Sequence, residues 1–199
     1  MNALTNFPNG LTSMGVPVLG GNRYPFTGKT FFVGATATHS DMVAGVNDVA
    51  SYGTSSLRPF ATVAYAISQC TANNNDVIYV LPGHTETISA AAGWTPKAGS
   101  SIIGLGNGSN RPTITFSATA STVVLSAANV TIENLLVKPG IADVVVCFPV
   151  TGAWVTLRNI DVIPNSTYSI KSFATVGAAA SWFLTDGGFH VATTAAGAA

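Results

Sequence analysis

"VTIENLLVKPG" occupies Val130–Gly140, and a near copy, "VTLRNIDVIPN", occupies Val155–Asn165, starting 25 residues later. Apolar residues recur in kind at Val130/Val155, Ile132/Leu157, Leu135/Ile160 and Val137/Val162. Thr131/Thr156, Asn134/Asn159 and Pro139/Pro164 repeat outright. A period of this length is one coil of a solenoid, in which each segment pairs with its copy one turn away. In a parallel β-helix the repeat stacks Ile132 on Leu157 and Asn134 on Asn159, with neighbouring strands about 4.8 Å apart. Each stacked Ile, Leu or Val contributes roughly 1.5–3 kcal/mol by burial, so matched columns suffice as a core. The paired asparagines are expected at coil corners, hydrogen-bonded along the ladder.

Upstream and downstream of the copy, short β-rich runs are broken by Gly, Pro, Asn and Ser. They are "DVIYVLPG", "ETISA", "SIIGLGNG", "PTITFSA", "STVVLSA", "DVVVCFP", "YSIKSF" and "SWFLTDG". Turn signals at this spacing also suit an antiparallel sandwich; the internal copy decides for the solenoid. "SIIGLGNGSNRPTITF" reads as another coil and "DVIYVLPGHTETI" as the first. "FFVG" (Phe31–Gly34) reads as a short strand. "RPFATVAYAISQC" places Phe60, Val63, Ala64, Ile67 and Cys70 on one apolar helical face, with Pro59 in the first turn and Ser55 or Ser56 as cap. This helix, 59–70, is expected to cap the open end of the solenoid, where a bare strand edge invites aggregation.

Residues 1–30 interleave Pro8, Pro17 and Pro25 with five glycines, which disfavours regular structure. Phe7, Leu11, Met14, Val16 and Val18 make the stretch too apolar for a free tail, so it reads as an extended arm lying on another surface. The organisation is therefore an arm (1–30), a connecting segment with the capping helix (31–75) and a β-helix body (76–199). The fold class is all-β: a short parallel β-helix with one capping helix and an extended N-terminal arm.

Charged residues make up only 8% of the 199, with eight basic and eight acidic side chains and a formal net charge of zero. Average domains carry about 25%, and low-charge surfaces associate, so the chain is expected to work covered by neighbours. Unclustered basic residues give nucleic acid no electrostatic footprint. No apolar run reaches the ~18 residues of a membrane span, and the N-terminus lacks the pattern of a signal peptide. Cys70 and Cys147 stand far apart in apolar surroundings and read as buried free thiols, which fits a reducing cytosol.

Several residues invite a chemical reading. Glycoside cleavage needs two carboxylates flanking the bond. The acidic residues are Asp41, Asp48, Asp76, Glu86, Glu133, Asp143, Asp161 and Asp186. In the 25-residue register Glu133 meets Arg158 and Asp161 meets Leu136, so no acidic pair stacks, and Glu133–Arg158 reads as a surface ion pair. In "PGHTET", His84 and Glu86 share a strand face. A metal or acid–base site there needs a third partner, and only His39 or Asp76 offers itself. Gly104, Gly106 and Gly108 read as turn glycines. Trp94, Trp154 and Trp182 read as core or interface packing, with a sugar platform as the alternative. No catalytic residue, cofactor or metal is expected.

"RPFATVAYAISQCTANNNDVIYVLPGHTETI" followed by "GLGNGSNRPTITF" resembles the opening coils of pectate-lyase-like right-handed β-helix proteins, including many encoded by tailed bacteriophages. The matching features are the capping helix, the Asp76–Val80 strand, the Pro82-Gly83-His84 turn and a corner at Gly106, Gly108, Arg111 and Pro112. The arm "NFPNGLTSMGVPVLGG" looks like the N-termini of small phage virion proteins that decorate or cement capsids. The first resemblance covers about half the chain, the second some fifteen residues. Together they imply a virion protein made in the host cytoplasm and carried on the capsid exterior. They also imply a homotrimer at capsomer junctions, with the major capsid protein as partner. Phe7, Leu11, Met14, Val16 and Val18 are the expected capsid contacts. A tail-fibre or tailspike module binding host glycan is the alternative.

Overall fold

The computed structural model describes residues 28–35, 47–163 and 167–186 in full, and 12–13 and 16–17 by backbone alone. The body is a parallel β-solenoid of about 4 turns. One face stacks β3 (Thr30–Val33), β4 (Val77–Val80), β6 (Ser101–Gly104), β8 (Thr131–Pro139), β10 (Val155–Val162) and β12 (Phe183–Asp186). A second face joins β5 (Thr85–Ile88), β7 (Thr113–Phe116) and the far halves of β8 and β10. The third joins β9 (Asp143–Val150) to β11 (Ser169–Val176), with Trp94, Val123 and Leu125 continuing the ladder through single bridges. Every strand pairing from β3 to β12 is parallel, so the antiparallel sandwich is set aside.

The stacking register follows the repeat. Leu157 pairs with Ile132, Arg158 with Glu133, Ile160 with Leu135 and Val162 with Val137. One inward column runs Phe31, Ile78, Ile102, Ile132, Leu157, all buried. Side chains alternate in and out along a strand, so a one-residue slip would turn this column into solvent. On the third face, Phe148 of β9 stands between Phe116 and Phe173, with ring centroids 6.1 and 5.0 Å away.

β8 and β10 are single strands that bend from the first face to the second. The bends sit at Asn134 (φ 62°) and Asn159 (φ 50°), left-handed positions that asparagine tolerates better than most residues. Asn159 Nδ2 donates to Asn134 Oδ1 at 2.7 Å, and Asn134 Nδ2 donates to the carbonyls of Gly104 (2.7 Å) and Gly106 (3.0 Å). The ladder expected of the repeated asparagines is present. Its lowest rung requires glycine, because a Cβ at Gly104 would lie 2.1 Å from the Asn134 carbonyl oxygen.

Three features differ from the sequence expectations. The parallel sheet begins one strand before "DVIYV", since β3 pairs with β4 across Thr30–Val77 to Val33–Val80. The helix α1 spans Val63–Gln69, capped by the Thr62 side chain, and buries Val63, Ala66 and Ile67, leaving Ala64 exposed. The chain before it is used otherwise: Phe60 bridges to Val33 and exchanges backbone hydrogen bonds with Phe32 and Gly34, which keeps Pro59 and Ser55 out of the helix. Finally, the arm contains a small antiparallel pair, β1 (Thr12–Ser13) with β2 (Val16–Pro17), where regular structure was not expected. Phe7, Leu11, Met14 and Val18 lie outside the described residues, and Val16 is described by backbone only.

Candidate functional site

The "PGHTET" cluster is built from β5 and the turn before it. His84 Nε2 lies 3.3 Å from Glu86 Oε2, and both side chains are shielded from water. The same Glu86 oxygen accepts from Val63 N at 2.7 Å, the first residue of α1, while Oε1 accepts from Trp94 Nε1 at 2.9 Å. Glu86 therefore ties the helix start to the second face and to the buried Trp94. His39 lies outside the described residues, and Asp76 is committed elsewhere, accepting from Lys29 N (2.6 Å), Thr71 N (2.6 Å) and Asn74 Nδ2 (2.7 Å). Among the described residues no three His, Cys, Asp or Glu side chains converge as a metal site. His84 Nδ1 is buried without a hydrogen-bond partner among the described residues, which fits a residue held by packing and by its Nε2 contact with Glu86.

The remaining described carboxylates are also engaged. Asp48 accepts from Ala61 N (2.9 Å), Thr62 N (3.1 Å) and Thr62 Oγ1 (2.8 Å), completing the entry to α1. Asp161 pairs with Arg111, whose guanidinium also donates to the Asn159 carbonyl at 3.3 Å and the Gly108 carbonyl at 3.3 Å. Arg111 thus clamps the Gly106–Pro112 corner of one coil onto the asparagine corner two coils on. Arg158 lies between Glu133 (3.9 Å) and Asp186 (3.3 Å), and Lys171 faces Asp143 at 3.6 Å. The expected Glu133–Arg158 pair is present and extends by one rung.

Both cysteines are free and buried. Burial pushes the Cys147 thiol up to about 12. Cys70 is raised to about 12 by burial first and by the Asp76 charge second. Neither thiol is an activated nucleophile.

The three tryptophans separate. Trp94 is core. Trp154 and Trp182 are 56% and 52% exposed and stack on each other, centroids 5.2 Å apart and planes at 22°. Trp154 also has φ 59°. For a bulky residue this is a conformational outlier, with a cost on the order of 1–3 kcal/mol. Its spacing to Trp182 is 28 residues, off the 25-residue period, so the repeat did not reveal the pair. The available signal was local: each tryptophan directly precedes the apolar residue that opens a first-face strand, Val155 or Phe183.

No family model, curated protein or solved structure matches this chain. The fold is established by its own register, and the function by none of these comparisons.

Proposed function

We propose that this chain is a structural virion protein that binds the outer face of a phage capsid and stabilises the assembled shell, as a trimer at capsomer junctions. The observation that carries this reading is the use of charge. Each of the seven carboxylates among the described residues closes a backbone loop or an ion pair, and none stands as a free acid or base opposite another. Such a body suits packing better than turnover. Four coils rise about 20 Å at strand spacing, and the arm adds Phe7, Leu11, Met14, Val16 and Val18 as apolar contacts to the shell. A protein that binds assembled neighbours and not free subunits stabilises the assembly by mass action.

The exposure of Trp154 and Trp182 raises a second reading, a tail module that binds host glycan, although their mutual stacking leaves each indole only one face for a sugar. Copy number in purified virions, measured by mass spectrometry against the major capsid protein, separates the two. Near parity with the shell supports cement or decoration; a handful of copies supports the tail. In capsid-binding assays, deletion of residues 1–20 is expected to abolish binding while leaving the body folded. Undiminished binding by that truncation overturns the arm's role.

A further inference from the structure

The position of Trp154 is informative because three earlier coils answer the same demand differently. Two residues before the paired positions Val77, Ser101, Thr131 and Thr156 of successive coils stand Asn75 (φ 58°), Gly99 (φ 72°), Asn129 (φ 58°) and Trp154 (φ 59°). Asparagine and glycine are the residues this left-handed corner selects. Folding alone gives no reason for an indole there, and a strained residue at an exposed site points to binding.

The surroundings indicate what is bound. Trp182 precedes Leu184 by two residues at the start of β12, and Leu184 is 38% exposed; Val176, the last residue of β11, is 57% exposed. Among the described residues β12 pairs only with β10, and β11 only with β9, so their outer edges face outward together. Each indole covers one face of the other. The pair is therefore a ridge, which suits a packed protein surface, where tryptophan anchors dominate, better than the open ring face a sugar stacks on. Charge points to a like surface. Residues 155–186 carry Arg158 and Lys171 against Asp161 and Asp186, so this end can meet itself without net repulsion. Head-to-tail stacking is closed off, because the outer edge of β3 is occupied by Gly53 and Phe60 of the same chain. A two-fold contact, end against the same end, is the arrangement left.

We propose that the C-terminal end of the solenoid is a self-association surface on which a second copy of this chain docks end to end, with Trp154 and Trp182 at its centre. This stands independently of the capsid reading and of any three-fold contact along the sides. The test is sedimentation equilibrium on the full chain, compared with Trp154→Asn and with Leu184→Asp, which places like charges across the two-fold axis. The particle mass is expected to halve in both variants, whatever the starting number, with association weakened roughly ten- to a hundred-fold. Trp154→Asn, restoring the residue of the corresponding corners, is expected to melt no lower than the parent. A mass unchanged in both variants overturns the proposal. So does a single-chain mass for the parent, and indoles then shielded from acrylamide would show that another part of the chain covers them.

Discussion

At the end that begins with β3, the outer strand edge is closed by the chain's own loop: Phe32 N donates to the Gly53 carbonyl at 2.7 Å, and Phe60 N donates to the Phe32 carbonyl at 2.8 Å. Phe60 fills the space over Phe31, and α1 follows with Val63, Ala66, Ile67 and Cys70 in the core. At the other end the inward column that runs from Phe31 to Leu157 continues into Thr185, which is exposed. Ile170, Phe173, Ala174 and Phe183 are only partly covered there. Repeat arrays need terminal units that close the core. The difference teaches that the loop and helix are the cap at one end, whereas among the described residues nothing closes the last coil in the same way. It also shows that a solenoid's stability is not shared evenly along its axis.

The sharpest way to break this comparison is to remove one large aromatic at each end. Phe60→Ala is expected to cost about 3–5 kcal/mol, since the ring is fully buried and the loop over β3 cannot collapse onto the gap without losing its hydrogen bonds. Phe183→Ala, partly in water already, is expected to cost about 1 kcal/mol. Equilibrium denaturation of the two variants checks the order. Equal losses would mean that the last coil is as closed as the first.

A smaller effect sharpens how the cap is held. Glu86→Ala leaves Val63 N and Trp94 Nε1 without their acceptor and His84 Nε2 without its partner, and a buried polar group left unpaired costs about 1–3 kcal/mol. Local opening at α1, read by amide hydrogen exchange, is expected to rise more than opening at β8 and β10. Uniform acceleration along the chain would show that the cap is not a separate unit.

What could be read in the sequence, and what could not, divides along similar lines. The columns through Ile132/Leu157 and Leu135/Ile160, and the asparagine corners, were legible because a parallel register converts a sequence period directly into contacts. The start of α1 was not. Its decisive partners, Asp48 and Glu86, lie 13 to 23 residues away in the chain, and no local pattern announces them. Pro59 and the nearby serines gave plausible local signals that tertiary hydrogen bonding to β3 overrode. The His84–Glu86 pair was legible as a shared strand face. Its role as a tie to the helix was not, because the third partner is a backbone N–H that a search for side-chain ligands passes over. The Trp154–Trp182 stack escaped because one coil is longer than the period.

Cys70 closes α1 and Cys147 lies inside β9, so neither reports on the last coil. In the folded chain both thiols keep their protons up to about 12, against an ordinary 9.0. The unfolded chain releases them first, so between those values the folded state binds more protons and stability falls as pH rises. The stabilisation is fully present below about pH 9 and is lost progressively toward pH 12. The slope is at most about 1.4 kcal/mol per pH unit for each thiol. Cys147→Ala is expected to flatten this limb in a pH series of denaturation curves while lowering stability at neutral pH through the cavity it leaves. Adding Leu184→Asp at the open end is expected to leave the slope unchanged. A slope that changes with that substitution would mean that the ends are coupled through the core, and the contrast between a closed and an open end would then be one of degree.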